Sequence, residues 1–183
     1  MPLVITTERL LLRTAEPGDA DRLAGMYGDP EVARYTSGVT RSRDEVAATL
    51  DRWAAHWRRY GVGLLVAERL DDGAVVGRVG FLVWDPETWA HALNVDLDPP
   101  FEIEVGWSLA REHWGHGYAT EAALAARDWA LREVHPPRLV SLIHGENVQS
   151  QRVAEKLGER YERDVAMANG GTSQLWTTPQ RRC

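Results

Sequence analysis

The stretch from Phe101 to Val134 constrains the chain more than any other. FEIEVGWSL (101–109) reads as a strand, and an alanine-rich helix is expected from about Tyr118 to Val134, stopped by Pro136-Pro137. Between them lies Gly115-His116-Gly117. Two glycines one residue apart permit positive φ and the close approach of a ligand to the backbone. The first turn of the helix adds N–H groups without intrahelical partners and the positive end of its dipole. This pattern predicts an anion site of the size of a pyrophosphate. Ala119, Ala122, Ala126, Trp129 and Ala130 form the stripe expected to pack on a sheet.

The rest of the chain supplies that sheet. Residues 8–14 form a strand-like run around Leu10, Leu11 and Leu12, and Glu16-Pro17-Gly18-Asp19 signals a turn before a helix through Leu23 and Met26. Asp29-Pro30 reads as a break. Ser42 to Arg59 reads as a long helix, with Ser42 and Glu45 as a capping box and Val46, Leu50, Trp53 and Trp57 at helical spacing. LLVAERL (64–70) and AVVGRVGFLVW (74–84) form a hairpin across Asp71-Asp72-Gly73. Residues 85–101 form a long loop rich in Asp and Pro, and loops of that size are often functional. RLVSLIH (138–144) is a strand, a short helix runs from about Val148 to Leu157 before Gly158, and strands near 160–168 and 172–178 meet across Asn169-Gly170-Gly171. The expectation is one α+β domain over residues 1–183, with a mixed, mostly antiparallel sheet of about six or seven strands flanked by about four helices.

Composition excludes several classes. A formal net charge of −6 speaks against a nucleic-acid partner. No apolar run reaches the roughly 18 residues a membrane span needs, and MPLVITTERLLLR lacks the features of a signal peptide. The lone cysteine, Cys183, cannot form an internal disulfide, so a cytoplasmic setting is the default. The acidic balance mildly favours a cationic substrate. His113 and His116 lie three apart, but no third and fourth ligand stand at suitable spacing, so no metal site is expected.

Several phosphate sites fit a strand–glycine–helix unit. A P-loop needs Gly-Lys-Ser/Thr, which the chain lacks. A dinucleotide fingerprint would place Thr120 where glycine or alanine belongs and needs more βα units than remain. The third reading is an acyl-CoA site. The segment ENVQSQRVAEKLGE (146–159) favours it when taken with TTERLLLR (6–13), DDGAVVGRVGF (71–81) and EVGWSLAREHWGHGYATEA (104–122). In this order, over nearly the whole chain, these segments resemble the GNAT N-acetyltransferase superfamily, and most of all its ribosomal-protein alanine N-acetyltransferase branch.

That resemblance implies acetyl-CoA as co-substrate. Trp107, Ser108 and Leu109 would end a splayed strand that pairs its backbone with the pantetheine arm. Trp114, Gly115, His116, Gly117, Tyr118, Ala119 and Thr120 would wrap the pyrophosphate, and Asn147 and Ser150 would line the thioester end. Three positions depart from the family pattern. Glu112 stands where Gln or Arg is common, Ala154 where a tyrosine acid is usual, and Glu159 where phenylalanine is favoured. With the tyrosine missing, Ser150 becomes the group to meet the departing thiolate.

Acetylation needs a neutral amine, and alkylamines are protonated near neutral pH, so a base is required. Glu102 and Glu104 share one face of their strand. Glu104, nearer the cofactor end, is the favoured base, acting directly or through water, and Glu102 is second. A backbone N–H near Leu109 would stabilise the oxyanion. Among Trp53, Trp57, Trp84 and Trp89, the first two are read as core; Trp89, with His91, is the substrate-binding candidate. The expected acceptor is a peptide N-terminus or a small cationic amine, and a homodimer is a candidate assembly. The competing reading is a non-catalytic acyl-CoA-binding or regulatory module.

Overall fold

The computed structural model describes residues 3–179; Cys183 lies outside the described residues. The elements run β1 (Val4–Thr6), β2 (Leu10–Arg13), α1 (Asp19–Gly28), α2 (Pro30–Ala33), α3 (Arg43–Tyr60), β3 (Leu64–Arg69), β4 (Val75–Trp84), β5 (Glu102–Leu109), a single 3₁₀ turn at Arg111–His113, α4 (Tyr118–Glu133), β6 (Val140–Ile143), α5 (Val148–Lys156), β7 (Arg160–Ala166) and β8 (Thr172–Thr177). One sheet of order β1-β2-β3-β4-β5-β6-β8-β7 contains all eight strands. Only β5 and β6 pair in parallel. The architecture is the expected α+β type, enlarged by β1 and by α2.

Local chemistry accounts for these elements. Ser42 caps α3 through the amide of Glu45, and the Glu45 carboxylate accepts from the Ser42 amide at 2.7 Å, so the capping box is complete. Asp29-Pro30, read as a break, both interrupts and restarts the chain. Asp29 caps α2 and Pro30 takes its first position, where a missing N–H costs nothing.

The sheet is covered on both faces. Val79, Phe81, Val83, Val105 and Leu109 pack against Ala122, Ala123, Ala126 and Ala130 of α4. On the other face, Leu23 and Met26 of α1 and Val46, Leu50 and Trp53 of α3 pack on Leu64 and Val66. The alanine stripe lets α4 lie close to the sheet, and this fixes where its N-terminus emerges. Among the described residues, no helix is long and apolar enough to cross a membrane.

The parallel pair controls the site. β5 is fully paired to β4, from Gly77↔Leu109 to Trp84↔Glu102. It meets β6 only at Glu104↔Val140. Past that point the two strands part. The Val105 carbonyl points toward β6, where it accepts from Ser141 Oγ at 2.7 Å. By strand alternation, the N–H and C=O of Trp107 and the N–H of Leu109 point into the widening gap.

Candidate active site

The glycine loop lies at the end of β5. Gly115 and Gly117 have φ of 78° and 81°, the left-handed conformation that glycine tolerates best. Among the described residues, no hydrogen bond occupies the amides of residues 115 to 120; the first amide after this run with a partner is Glu121 N, which donates to Gly117 O. Six consecutive N–H groups thus lack a partner at the positive end of a helix of 16 residues.

Arg9 braces this loop, a role no local sequence signal announced. Its Nη1 donates to the His116 carbonyl at 3.0 Å, and its Nε to Glu121 Oε2 at 2.7 Å. Its guanidinium lies 4.6 Å from the Tyr118 ring centroid, and that ring stacks with His116 at 5.8 Å. Glu121 is held further by the Thr7 hydroxyl at 2.6 Å and the Arg9 amide at 2.8 Å. The Glu121 carboxylate is therefore engaged by Arg9, and its charge beside the amides is neutralised. Glu112 is exposed to solvent.

Trp107 and Ser150 meet across the gap: the indole Nε1 donates to Ser150 Oγ at 3.2 Å. Asn147 caps α5 by accepting from the Ser150 amide at 3.1 Å. Ser150 thus accepts from Trp107 and keeps its own hydroxyl proton to donate. Ser108 is buried, Trp107 half-buried, and Leu109 is packed in the core with its carbonyl accepting from Trp114 Nε1 at 2.8 Å. Ala154, where a tyrosine acid is usual, is completely buried.

Glu104 sits where β5 and β6 part. It is buried, not a solvated strand carboxylate, and Trp84 Nε1 donates to its Oε2 at 2.6 Å. Burial raises its pKa; the Trp84 hydrogen bond and the Arg78 charge oppose this without cancelling it. Alternation puts Glu104 and Trp107 on opposite faces of β5, so the base candidate and the Ser150 hydroxyl flank the gap from two sides. Glu102 is tied to Arg138, with Nη2–Oε1 at 2.5 Å. The ion pair occupies the carboxylate of the second candidate.

The long loop differs from expectation. Its Asp- and Pro-rich composition makes Trp89 a substrate-binding candidate, but Trp89 is 4% exposed and packs with Trp84, Val140, Val165 and Leu175. The segment folds back on β4 through Asp85 N to Ala90 O and Ala92 N to Val83 O. Its indole belongs to the core, so an open aromatic acceptor wall is not formed. His91 meets the Trp84 ring at 5.1 Å. Its pKa is pushed down to about 4 by burial first and then by the charges of Arg52 and Arg41. Trp53 is buried and Trp57 packs against the core, as read. Among the described residues, no group of three or more His, Cys, Asp or Glu is placed to hold a metal.

A model of the acetyltransferase (GNAT) domain matches residues 9–160. The chain belongs to the GNAT acetyltransferase family, an acyltransferase family that uses acetyl-CoA. It is 32% identical over 171 residues to YkkB of Bacillus subtilis (strain 168), covering 90% of each chain. Among solved structures it is similar to the acetyltransferase from Agrobacterium tumefaciens str. C58, at 27% identity and a TM-score of 0.77, covering 97% of this chain and 95% of that one. It shares the fold of the RimL ribosomal L7/L12 alpha-N-protein acetyltransferase in complex with coenzyme A, at 15% identity and a TM-score of 0.73, covering 96% of each. The free amides at 115–120, the loop braced by Arg9 and the gap after Glu104 fit such a co-substrate.

Proposed function

We propose that this protein transfers an acetyl group from acetyl-CoA directly to a primary amine, of a polypeptide N-terminus or of a small molecule. The observation that carries this reading is the run of free amides at 115–120 opening onto the gap between β5 and β6. The loop holds the pyrophosphate, and the outward backbone of Trp107 and Leu109 pairs with the extended arm. Acetyl-CoA supplies the activated thioester; the chain supplies position, a base and a hydrogen-bond donor to the leaving thiolate.

Glu104 takes the proton from the incoming ammonium, directly or through one water. A carboxylate raised by burial is better matched to this task near neutrality than a solvated one. The Ser150 hydroxyl donates to the thiolate on the other side of the gap. The free Leu109 amide is the oxyanion donor.

Calorimetric titration with CoA and thiol release from acetyl-CoA across a panel of amines test the proposal together. Glu104→Gln is expected to lower turnover by about 100-fold or more with little change in CoA affinity. Equal loss of both removes Glu104 as base. Tight CoA binding with no thiol release for any amine would mark a non-catalytic acyl-CoA-binding module instead.

A further inference from the structure

On the face of the sheet that carries Glu104, a cavity of about 320 Å³ opens between α3 and the segment before it, lined by Val39, Thr40, Arg41, Glu45, Thr49 and Arg52. Two guanidiniums converge there on one hydroxyl. Arg41 Nη1 donates to Thr49 Oγ1 at 3.2 Å, and Arg52 Nη2 donates to the same atom at 3.0 Å. The Thr49 hydroxyl itself donates a hydrogen bond to the Glu45 carbonyl at 2.8 Å, and Thr49 is 2% exposed.

Neither arginine forms an ion pair with a carboxylate among the described residues, unlike Arg13, Arg69 and Arg138. The one carboxylate in the lining, Glu45, is spent on the Ser42 amide and hydroxyl at 2.7 and 2.8 Å. Two cations sharing a single neutral acceptor repel each other, and the arrangement is satisfied when an oxyanion enters between them.

The cavity shares a face of the sheet with the base candidate. The charges of Arg41 and Arg52 reach His91, where they help to lower its pKa. The His91 ring packs on Trp84 at 5.1 Å, and Trp84 holds the Glu104 carboxylate. A small molecule or chain end anchored at the arginines would thus lie on the same side of the sheet as the base.

We propose that the amine acceptor carries an oxyanion, a carboxylate or a phosphate, and that Arg41 and Arg52 bind it, turning from the Thr49 hydroxyl to the anion. This rests on the amine-acetylation reading and narrows it. It also reverses the preference for a cationic acceptor drawn from net charge, because the local field of the cavity opposes the global one.

Thiol release is measured with matched amines: an amino acid against its amide, an aminoalkyl phosphate against its alcohol, and a short peptide with an acidic second residue against a neutral one. The anionic member of at least one pair is expected to win by ten-fold or more in kcat/KM. The favoured pair identifies the source of the oxyanion. Arg41→Gln and Arg52→Gln should each cut that preference by about 10- to 100-fold, mainly through KM, the size of a lost charge-assisted hydrogen bond. Equal rates within every pair, or a preference untouched by both variants, would overturn the proposal.

A second readout does not depend on turnover. Inorganic phosphate or succinate should raise the Tm of the wild type and not of the double variant; a flat response in the wild type overturns the anion site. Anion stabilisation without thiol release from any amine would instead count against acetyl transfer and leave the oxyanion pocket standing.

Discussion

Glu159 should make the protein less stable as the pH rises through neutrality. It follows α5 and Gly158, is 2% exposed, and neither carboxylate oxygen has a hydrogen-bond partner. The nearby Ser141 hydroxyl donates instead to the Val105 carbonyl. Burial, reinforced by the charge of Glu104, pushes the Glu159 pKa from 4.5 up to about 8, against weaker opposing pulls from Ser141 and Arg127. The folded protein therefore keeps a proton at pH 7 that the unfolded chain has released. Stability is fully present below the unfolded value and declines as pH rises until the folded value is passed. At 1.36 kcal/mol per pH unit, the loss between pH 4.5 and pH 7 is on the order of 3 kcal/mol. Urea melts of the wild type and Glu159→Gln at pH 5, 7 and 8 measure it. The wild-type midpoint should fall across this range and the variant's should fall less, while Glu159→Leu should exceed both at pH 8. Parallel pH profiles for wild type and Glu159→Gln would refute the reasoning.

Three further predictions concern the loop, the mechanism and the fold. Gly117→Ala places a side chain at φ 81°, with Arg9 Nη2 3.5 Å from the new Cβ; calorimetry should show CoA affinity down by about ten-fold, the equivalent of 1–2 kcal/mol of backbone strain. Ser150→Ala should lower kcat by about ten-fold if the hydroxyl meets the thiolate, and an unchanged kcat at saturating substrate removes it from the mechanism. Asp19, 2% exposed, accepts from both Nη atoms of Arg13 at 2.8 Å, so Asp19→Ala should cost about 3–5 kcal/mol in chemical denaturation. Burial pushes the Asp19 pKa up, but Arg13 and the Glu16 amide outweigh it and leave it lowered. Its contribution is therefore present above the unfolded carboxylate value and lost as pH falls, so the variant should show a shallower acid limb.

Features that depend on near neighbours in the chain were legible in the sequence. The α3 capping box, the glycines before α4, the Gly158 stop and the final hairpin are all set within a few residues. What escaped depends on distant contacts. Arg9 gains its role from His116 and Glu121, which are 107 and 112 positions away. Trp89 looked like a substrate contact because its neighbours are polar, yet the loop's return onto β4 carries it inside. Asp29-Pro30 is ambiguous by nature, since the same pair can end one helix and open the next. Glu159 stood out as a departure from the family pattern, but only the packed interior shows that its carboxyl lacks partners. Arg41 and Arg52 sit among ordinary helix and loop residues, and their lack of acid partners is a property of the surroundings.

The single rung Glu104↔Val140 has a mechanical consequence. Strands β1–β5 and strands β6–β8 share one backbone rung and are otherwise held together by side chains, the Ser141–Val105 hydrogen bond and the Arg138–Glu102 ion pair among them, and by α4 and its turns. A guest threaded along the open edge, as the proposed acetyl-CoA site requires, would act as the missing seam. Amide exchange along β6 should then slow on loading, making the cleft a clasp as well as a binding surface.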